Sequence, residues 1–387
     1  MKQIEGAVAA YRRGDYDETL RILLPLAKGG DTTAQYNLSL MYEKGQGLPQ
    51  NYEKAHFWCL EAAGQGDAEA QSSLGVMYGN GQGIAQDFSE AERWYRLAAS
   101  QGNTSGQYNL AVMYHLGLGV EQDFREAILW YRLAANQGHG RAQSNLGVLH
   151  EMGQGVEQDD LQAVKWYRLA ATQGLSEAQY NLGRIYETGG LVWREEEGRA
   201  KASMRTNSRA NALAKQLTSR GGKETRGDDE PVPSILELLA AAGNDDNGLQ
   251  AELERHHDER LGPPKDYLEA IKWYLLAAKQ GHADAQNRLG TMHSEGTGVA
   301  MNYDEASEWY RLAAEQGHSE AQTCLGTLYG AGQGVPQNYV LAHMWSNLAA
   351  RSGSSIALKN RDYFATQMSD QQISEATKMA RDFPLKF

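Results

Sequence analysis

Apolar residues in this chain come in short words punctuated by glycine. In Ala70, Leu74, Met77 and Tyr78 they fall at i, i+4, i+7 and i+8, which draws one stripe along a helix. The same word opens at Ala34, Ala70, Gly106, Ala142, Ala178, Ala285 and Ala321, in steps of 36 residues wherever the run is unbroken. A paired-glycine loop follows each: Gly45/Gly47, Gly81/Gly83, Gly117/Gly119, Gly153/Gly155, Gly296/Gly298 and Gly332/Gly334. A second apolar word then carries Ala-Ala and a tryptophan in one slot, at Trp58, Trp94, Trp130, Trp166, Trp273, Trp309 and Trp345, which takes seven of the eight tryptophans. The pattern predicts two helices per unit, A and B. Helix B opens on Asp or Asn with Glu three residues on, as in Asp87 with Glu90, Asp123 with Glu126, Asp266 with Glu269 and Asn302 with Glu305, which is the spacing of a capping box.

Gly75, Gly147, Gly183, Gly290 and Gly326 fall inside helix A. Glycine there costs roughly 1 kcal/mol against alanine, so a neighbouring helix is expected to pass close by. One hairpin has no partner for its own Trp, Tyr and Leu faces, and stacking hairpins in file supplies it. The expected fold is all-α, a solenoid of antiparallel helical hairpins.

The words Ala-Gln-x-x-Leu-Gly-x-x-Tyr, Gly-x-Gly-Val and Ala-x-x-Trp-Tyr-x-x-Ala-Ala-x-x-Gly, almost complete from Ala142 to Gly174, resemble the Sel1-like repeat (SLR) family of α-solenoids, relatives of the tetratricopeptide repeat. The resemblance implies a right-handed α-solenoid (an alpha-alpha superhelix) whose A helices line an inner, concave wall. It also implies an adaptor role, though members of the family serve very different processes. The expected organisation is a capping hairpin over 1–33, repeats over 34–189, an interruption over 190–265, repeats over 266–353 and closing helices over 354–387. In the last, Ser369 and Gln372 form a capping box ahead of a one-sided stripe of Ile373, Ala376 and Ala380.

The interruption adds 71 residues to one period, close to two units. Gln250 and Leu253 stand one period before Gln286 and Leu289, so 249–265 reads as a degenerate helix A, with Leu213 to Leu217 and Ile235 to Ala242 as a second eroded pair. A foreign insertion is the alternative. The stretch 218–234, rich in glycine, charge and proline, is expected to be a mobile loop.

Lys+Arg 37 against Asp+Glu 49 gives a net charge of −12. A chain this acidic has no general attraction for phosphate backbones or anionic lipid, so neither nucleic acid nor membrane insertion is expected. No run has signal-peptide or membrane-span length. Cys59 and Cys324, the 2 cysteines, stand too far apart in sequence for a disulfide framework. The expected compartment is the cytoplasm, with the periplasm as the alternative if a leader has been removed.

Candidate chemistry is sparse. The Gly-x-Gly loops recur once per unit and lack the Gly-x-x-x-x-Gly-Lys-Ser/Thr run of a phosphate cradle, so they read as turns. His139, His282 and His318 occupy repeated turns, and helices stacked roughly 8 to 10 Å apart cannot share a zinc held at about 2 Å per ligand. They read as solvated turn histidines. His256 and His257 have no metal-spaced partners around them. Cys59 has His56 on the same helix, a candidate for an activated thiolate, but a small core thiol is the favoured reading. Some cysteine-rich relatives carry β-lactamase names, yet the Ser-x-x-Lys, Ser-Asp-Asn and Lys-Thr-Gly set of serine acylation is absent. No catalytic residue, cofactor or metal ligand is assigned, and a β-lactam hydrolase stays only as the remote alternative. From Arg199 to Lys223 the chain has basic residues and no acid, which suits an acidic partner or a solvated face.

A binding face is more legible. The slot before the stripe leucine of helix A holds Asn37, Asn109, Asn145 and Asn181. Amides repeating at the solenoid period donate and accept together, so they suit an extended peptide backbone. Tyr36, Tyr108 and Tyr180 stand beside them, and Leu40, Val76, Val112 and Val148 one turn on. Ser73, Arg288 and Cys324 take the slot elsewhere, while Arg184 and Thr291 break the apolar row. A groove is therefore expected centrally, over repeats three to five, with Arg141 and Arg184 available to carboxylates. The competing reading makes the asparagines structural, bonded to a neighbouring helix. The expected partner is another protein, as an extended peptide or a helix, with the oligomeric state open. A cell-envelope or secretion-associated assembly factor is the second functional reading.

Overall fold

Each 13-residue helix is delimited by side chains whose roles repeat from unit to unit. Helix A begins where Asp31, Asp67 or Asn103 accepts the N3 backbone N–H, and ends on a left-handed glycine such as Gly45 (φ 66) or Gly81 (φ 68). Helix B begins where Asn51, Asp87 or Asp123 caps it, and ends on Gln65, Gln101 or Gln137. The cap residue's own N–H donates to the last tyrosine carbonyl of helix A, as in Asp87 to Tyr78 at 3.0 Å and Asp123 to Tyr114 at 2.9 Å. The reciprocal half of the expected capping box is thus replaced by a bond that ties the two helices together. The full box does form at Ser369 and Gln372.

The computed structural model describes residues 2–189 and 265–384, and among them every element is a helix and none is a strand. The chain is an α-solenoid of antiparallel hairpins in two units, 1–158 and 159–387. The first unit holds α1 (Lys2–Arg12) and α2 (Tyr16–Lys28) as a capping hairpin, then α3 (Thr32–Lys44), α4 (Tyr52–Gly64), α5 (Ala68–Asn80), α6 (Phe88–Ser100), α7 (Thr104–Leu116), α8 (Phe124–Asn136) and α9 (Gly140–Met152). The second holds α10 (Asp160–Thr172), α11 (Ser176–Thr188), α12 (Tyr267–Lys279), α13 (Ala283–Glu295), α14 (Tyr303–Glu315), α15 (Ser319–Ala331), α16 (Tyr339–Arg351), α17 (Ser355–Ala365) and α18 (Asp370–Asp382).

The core is built from repeated slots. Leu38, Leu74, Leu110 and Leu146 in one unit, and Leu182, Leu289 and Leu325 in the other, are fully buried. Each contributes roughly 2 kcal/mol of burial. In several repeats a tyrosine of helix B packs against the mid-helix glycine of helix A. A Cβ on Gly75 would stand 2.6 Å from the Tyr95 ring, and one on Gly290 2.7 Å from the Tyr310 ring. These glycines are there to let the ring in.

A buried glutamine in helix A joins successive layers. Gln107 Nε2 donates to the Ala99 carbonyl at the end of the preceding helix B, while its Oε1 accepts from Gln137 Nε2, at 2.8 Å, at the end of its own. Gln35 with Gln65, Gln71 with Gln101 and Gln286 with Gln316 repeat the arrangement.

The interruption falls inside one such layer. Asp266 N–H donates to the Tyr186 carbonyl at 2.8 Å, and Gln280 donates to Gln179 across 101 positions where intact repeats span 30. So α11 and α12 are the A and B helices of one repeat, the fifth, with the extra 71 residues between them. Residues 190–264, on which the degenerate helices, the glycine-rich loop, the basic run and His256-His257 were expected, lie outside the described residues.

The turn histidines are not simply solvated. Nδ1 of His139, His282 and His318 accepts the N3 N–H of Ala142, Ala285 and Ala321 at 3.2, 3.4 and 3.2 Å, so each is a helix cap, and each is half-buried.

Gly75→Ala and Gly290→Ala should each lower stability by about 1 to 2 kcal/mol through overpacking against the ring, despite alanine's better helix propensity. Gly64→Ala, whose Cβ meets nothing within 4 Å, should be neutral or slightly stabilising. Urea unfolding read by circular dichroism checks the contrast in sign. Burial also holds His56, His115, His139, His293 and His343 below their ordinary pKa. Their unfolded forms titrate near about 6.5, so this stability is fully present above that pH and is lost as pH falls through the lower folded values. Midpoints measured at successive pH values should drop on the acid side. His139→Asn keeps a cap like Asn103 but removes a titrating group, and should shrink the drop.

Candidate interaction face on the A helices

The expected ladder divides into amides that the protein uses and amides that it leaves open. Asn145 on α9 is a hydrogen-bond partner of the Tyr131 hydroxyl from α8, and that hydroxyl also lies 3.2 Å from His115 Nδ1. Burial raises Tyr131 well above the ordinary tyrosine range, so it stays a neutral donor or acceptor. The same tyrosine slot recurs behind the ladder in other repeats. Tyr310 reaches Ser294, Thr291 and Cys324, and Tyr36 meets Ser73 at 3.1 Å in the first repeat, where Cys59 replaces the helix B tyrosine. Asn145 is thus engaged with a side chain of the neighbouring helix. Asn37 is also engaged, donating to the Thr33 carbonyl of its own helix at 2.8 Å. Asn109 on α7 and Asn181 on α11, both half-buried, make no hydrogen bond with any described residue.

In the first unit, Tyr108 sits beside Asn109 and stacks on His139 with centroids 4.4 Å apart and planes 27° apart. Val112 and Val148 are half-buried one turn beyond the amides, and Arg141 is exposed at the start of α9. A further turn on stand Leu116, 59% exposed, and Met152, 63% exposed. Sequence reasoning missed these two because they fall outside the repeat's stripe. Their signal is a departure, since the same slot holds Lys44 and Asn80 earlier.

In the second unit, Tyr180 stacks on His282 at 4.8 Å, and Arg184 is half-buried on the next turn of α11. Arg288, which takes the ladder slot on α13, is not open. It forks onto Glu187 through Nε at 2.9 and 2.8 Å and through Nη2, and Tyr274 donates to the same carboxylate at 2.7 Å. Glu187 is only 5% exposed, so this is a closed network that joins α11, α12 and α13.

The arrangement offers amides, apolar surface and a few guanidinium groups. Cys59 donates to the Ala70 carbonyl, and burial pushes its thiol up to about 12. Cys324 is also raised by burial. Neither is a thiolate at neutral pH. Among the described residues no cluster of His, Cys, Asp and Glu has the makings of a metal site, and no helix is long and apolar enough to cross a membrane.

The Sel1 repeat family model matches residues 32–67, 68–103, 104–139, 140–175, 176–192, 255–282, 283–318 and 319–354, so the fifth repeat is split where α11 and α12 flank the interruption. The chain is similar to the crystal structure of a Sel1 repeat protein from Oxalobacter formigenes, 27% identical with a TM-score of 0.61, over 89% of this chain and 79% of that one. It is also similar to a protective antigen of uropathogenic Escherichia coli strains displaying an SLR fold, 30% identical with a TM-score of 0.48, over 98% of this chain and 91% of that one. No curated protein matches it. Sel1 repeats typically form protein-interaction modules. Eight matched segments and hairpins built on one set of slots place the chain in a single family: it belongs to the Sel1 repeat proteins.

Proposed function

We propose that this chain is a non-catalytic adaptor whose A-helix face in the first unit holds an extended segment of another protein. The observation that carries the reading is the open amide of Asn109 next to an apolar row that ends in exposed Leu116 and Met152. An amide left to solvent donates and accepts to a peptide backbone. Val112 and Val148 with Leu116 and Met152 offer surface for alternate apolar side chains, while exposed Arg141 suits an acidic flank. Asn145 helps by holding its helix through Tyr131 and is a positioning residue on this reading. Tyr180, Asn181 and Arg184 give α11 of the second unit a smaller version of the same chemistry.

Peptides selected from a displayed random library against the full chain supply the test. Selected peptides should carry spaced apolar residues, and Asn109→Ala or Leu116→Asp should weaken them about tenfold with helicity and thermal midpoint unchanged. Asn145→Ala should instead cost stability, about 1 kcal/mol, by removing one of the two partners of the buried Tyr131 hydroxyl. Peptides indifferent to Asn109 and Leu116, or a library that yields none, would refute the adaptor face.

A further inference from the structure

We propose that the outer face of α8 in the first unit receives an amphipathic helix from a partner protein, with a bulky apolar stripe and a basic C-terminal end. This site lies on a helix B and is independent of the A-helix reading.

The chain shows what such a face looks like when covered. In the last repeat α18 folds over Met344, Trp345 and Leu348 on α16, and Met344 and Leu348 are there only 3% and 7% exposed. Ala376 and Ala380 of α18 face that surface, the Phe383 ring meets Trp345 at 4.9 Å, and Arg351 donates to the Ala380 carbonyl at 3.0 Å. The equivalent slots on α8 are Leu129, Trp130 and Leu133, with Leu129 52% and Leu133 40% exposed. Elsewhere among the described B helices the first of these slots holds Arg93, Lys165, Lys272 or Glu308, and where α4 has Phe57 the third slot is Glu61. Of the uncovered B helices described, α8 alone repeats the bulky pair that α18 covers.

Charge decides the occupant. On α16 the slot one turn before Met344 is Leu341, and it lines the same cleft as Asp382, Phe383 and Pro384 at the C-terminal end of α18. On α8 that slot is Glu126, preceded by exposed Glu121 and Asp123, while Arg125 stands about 100° round the helix. A helix docked in the same sense brings its C-terminal turn to these carboxylates. The partial negative charge of that terminus and any acid in it are disfavoured there, and Lys or Arg is favoured. Asp382 would be repelled, so a second copy's α18 is a poor occupant and a partner helix ending in a basic residue is a good one.

The probe is a peptide of residues 369–384, stapled on its solvent face, beside the same peptide carrying Asp382→Lys, each labelled and titrated with the full chain. The Asp382→Lys peptide should bind saturably, about threefold tighter than the native one, and Glu126→Gln should erase most of that difference. Leu133→Glu should weaken both about tenfold while leaving the thermal midpoint unchanged, since the side chain is already 40% exposed. No saturable binding, or binding indifferent to Leu133→Glu, would overturn the proposal. So would sedimentation showing self-association of the full chain that Leu133→Glu abolishes, which would make the face a contact between copies.

Discussion

The constraint on which each unit rests is the fate of the carbonyls at the end of helix B. A helix leaves its last four carbonyls without intrahelical partners, and stacking the next hairpin there removes them from water. The buried glutamine of helix A answers this with its two ends. Its amide nitrogen takes an alanine carbonyl, as Gln107 does with Ala99, and its oxygen takes the next glutamine along. An unpaired buried amide costs about 1 to 3 kcal/mol, so a hairpin slipped by one position would lose on both sides. The relay thus enforces register as well as cohesion, and the 36-residue step is its trace in sequence.

The hairpin, its boundaries and its core were legible because they obey periodicities of the chain itself. Leu74, Gly75 and Tyr78 announce a helix with one face and one gap, and Asp87 announces the next start. The relay was less legible: Gln71 and Gln101 recur in the words, yet nothing in their spacing says that they touch. The pairing across the interruption was illegible for a related reason. Gln250 and Leu253 fall in phase with Gln286 and Leu289, and phase alone says nothing of the Asp266 bond to Tyr186, by which α11 pairs with α12. Period reports how many residues lie between two slots and is silent on which slots pair.

The face was half legible for the same cause. Asn109, Asn145 and Asn181 are identical in sequence context, but their surroundings differ through a residue of the preceding hairpin: Tyr131 reaches Asn145, while Tyr95, in the equivalent slot, is buried without engaging Asn109. A ladder read along one helix face cannot register a hydroxyl arriving from behind. Leu116 and Met152 were missed for the opposite reason. They fill a slot with no rule, and only their exposure marks them.

The split fifth repeat shows how a departure in one slot answers a departure in another. At that repeat, and in no other among the described residues, the end of helix A carries a buried carboxylate held by both the helix B tyrosine and a ladder-slot arginine, in Glu187, Tyr274 and Arg288. Hydrogen bonds to a charged group contribute about 1.5 to 3 kcal/mol. Arg288 keeps 41% of its side chain in solvent, which spares it much of the desolvation that makes fully buried pairs unprofitable. The network joins α11, α12 and α13, the two helices that flank the interruption and the one that follows them.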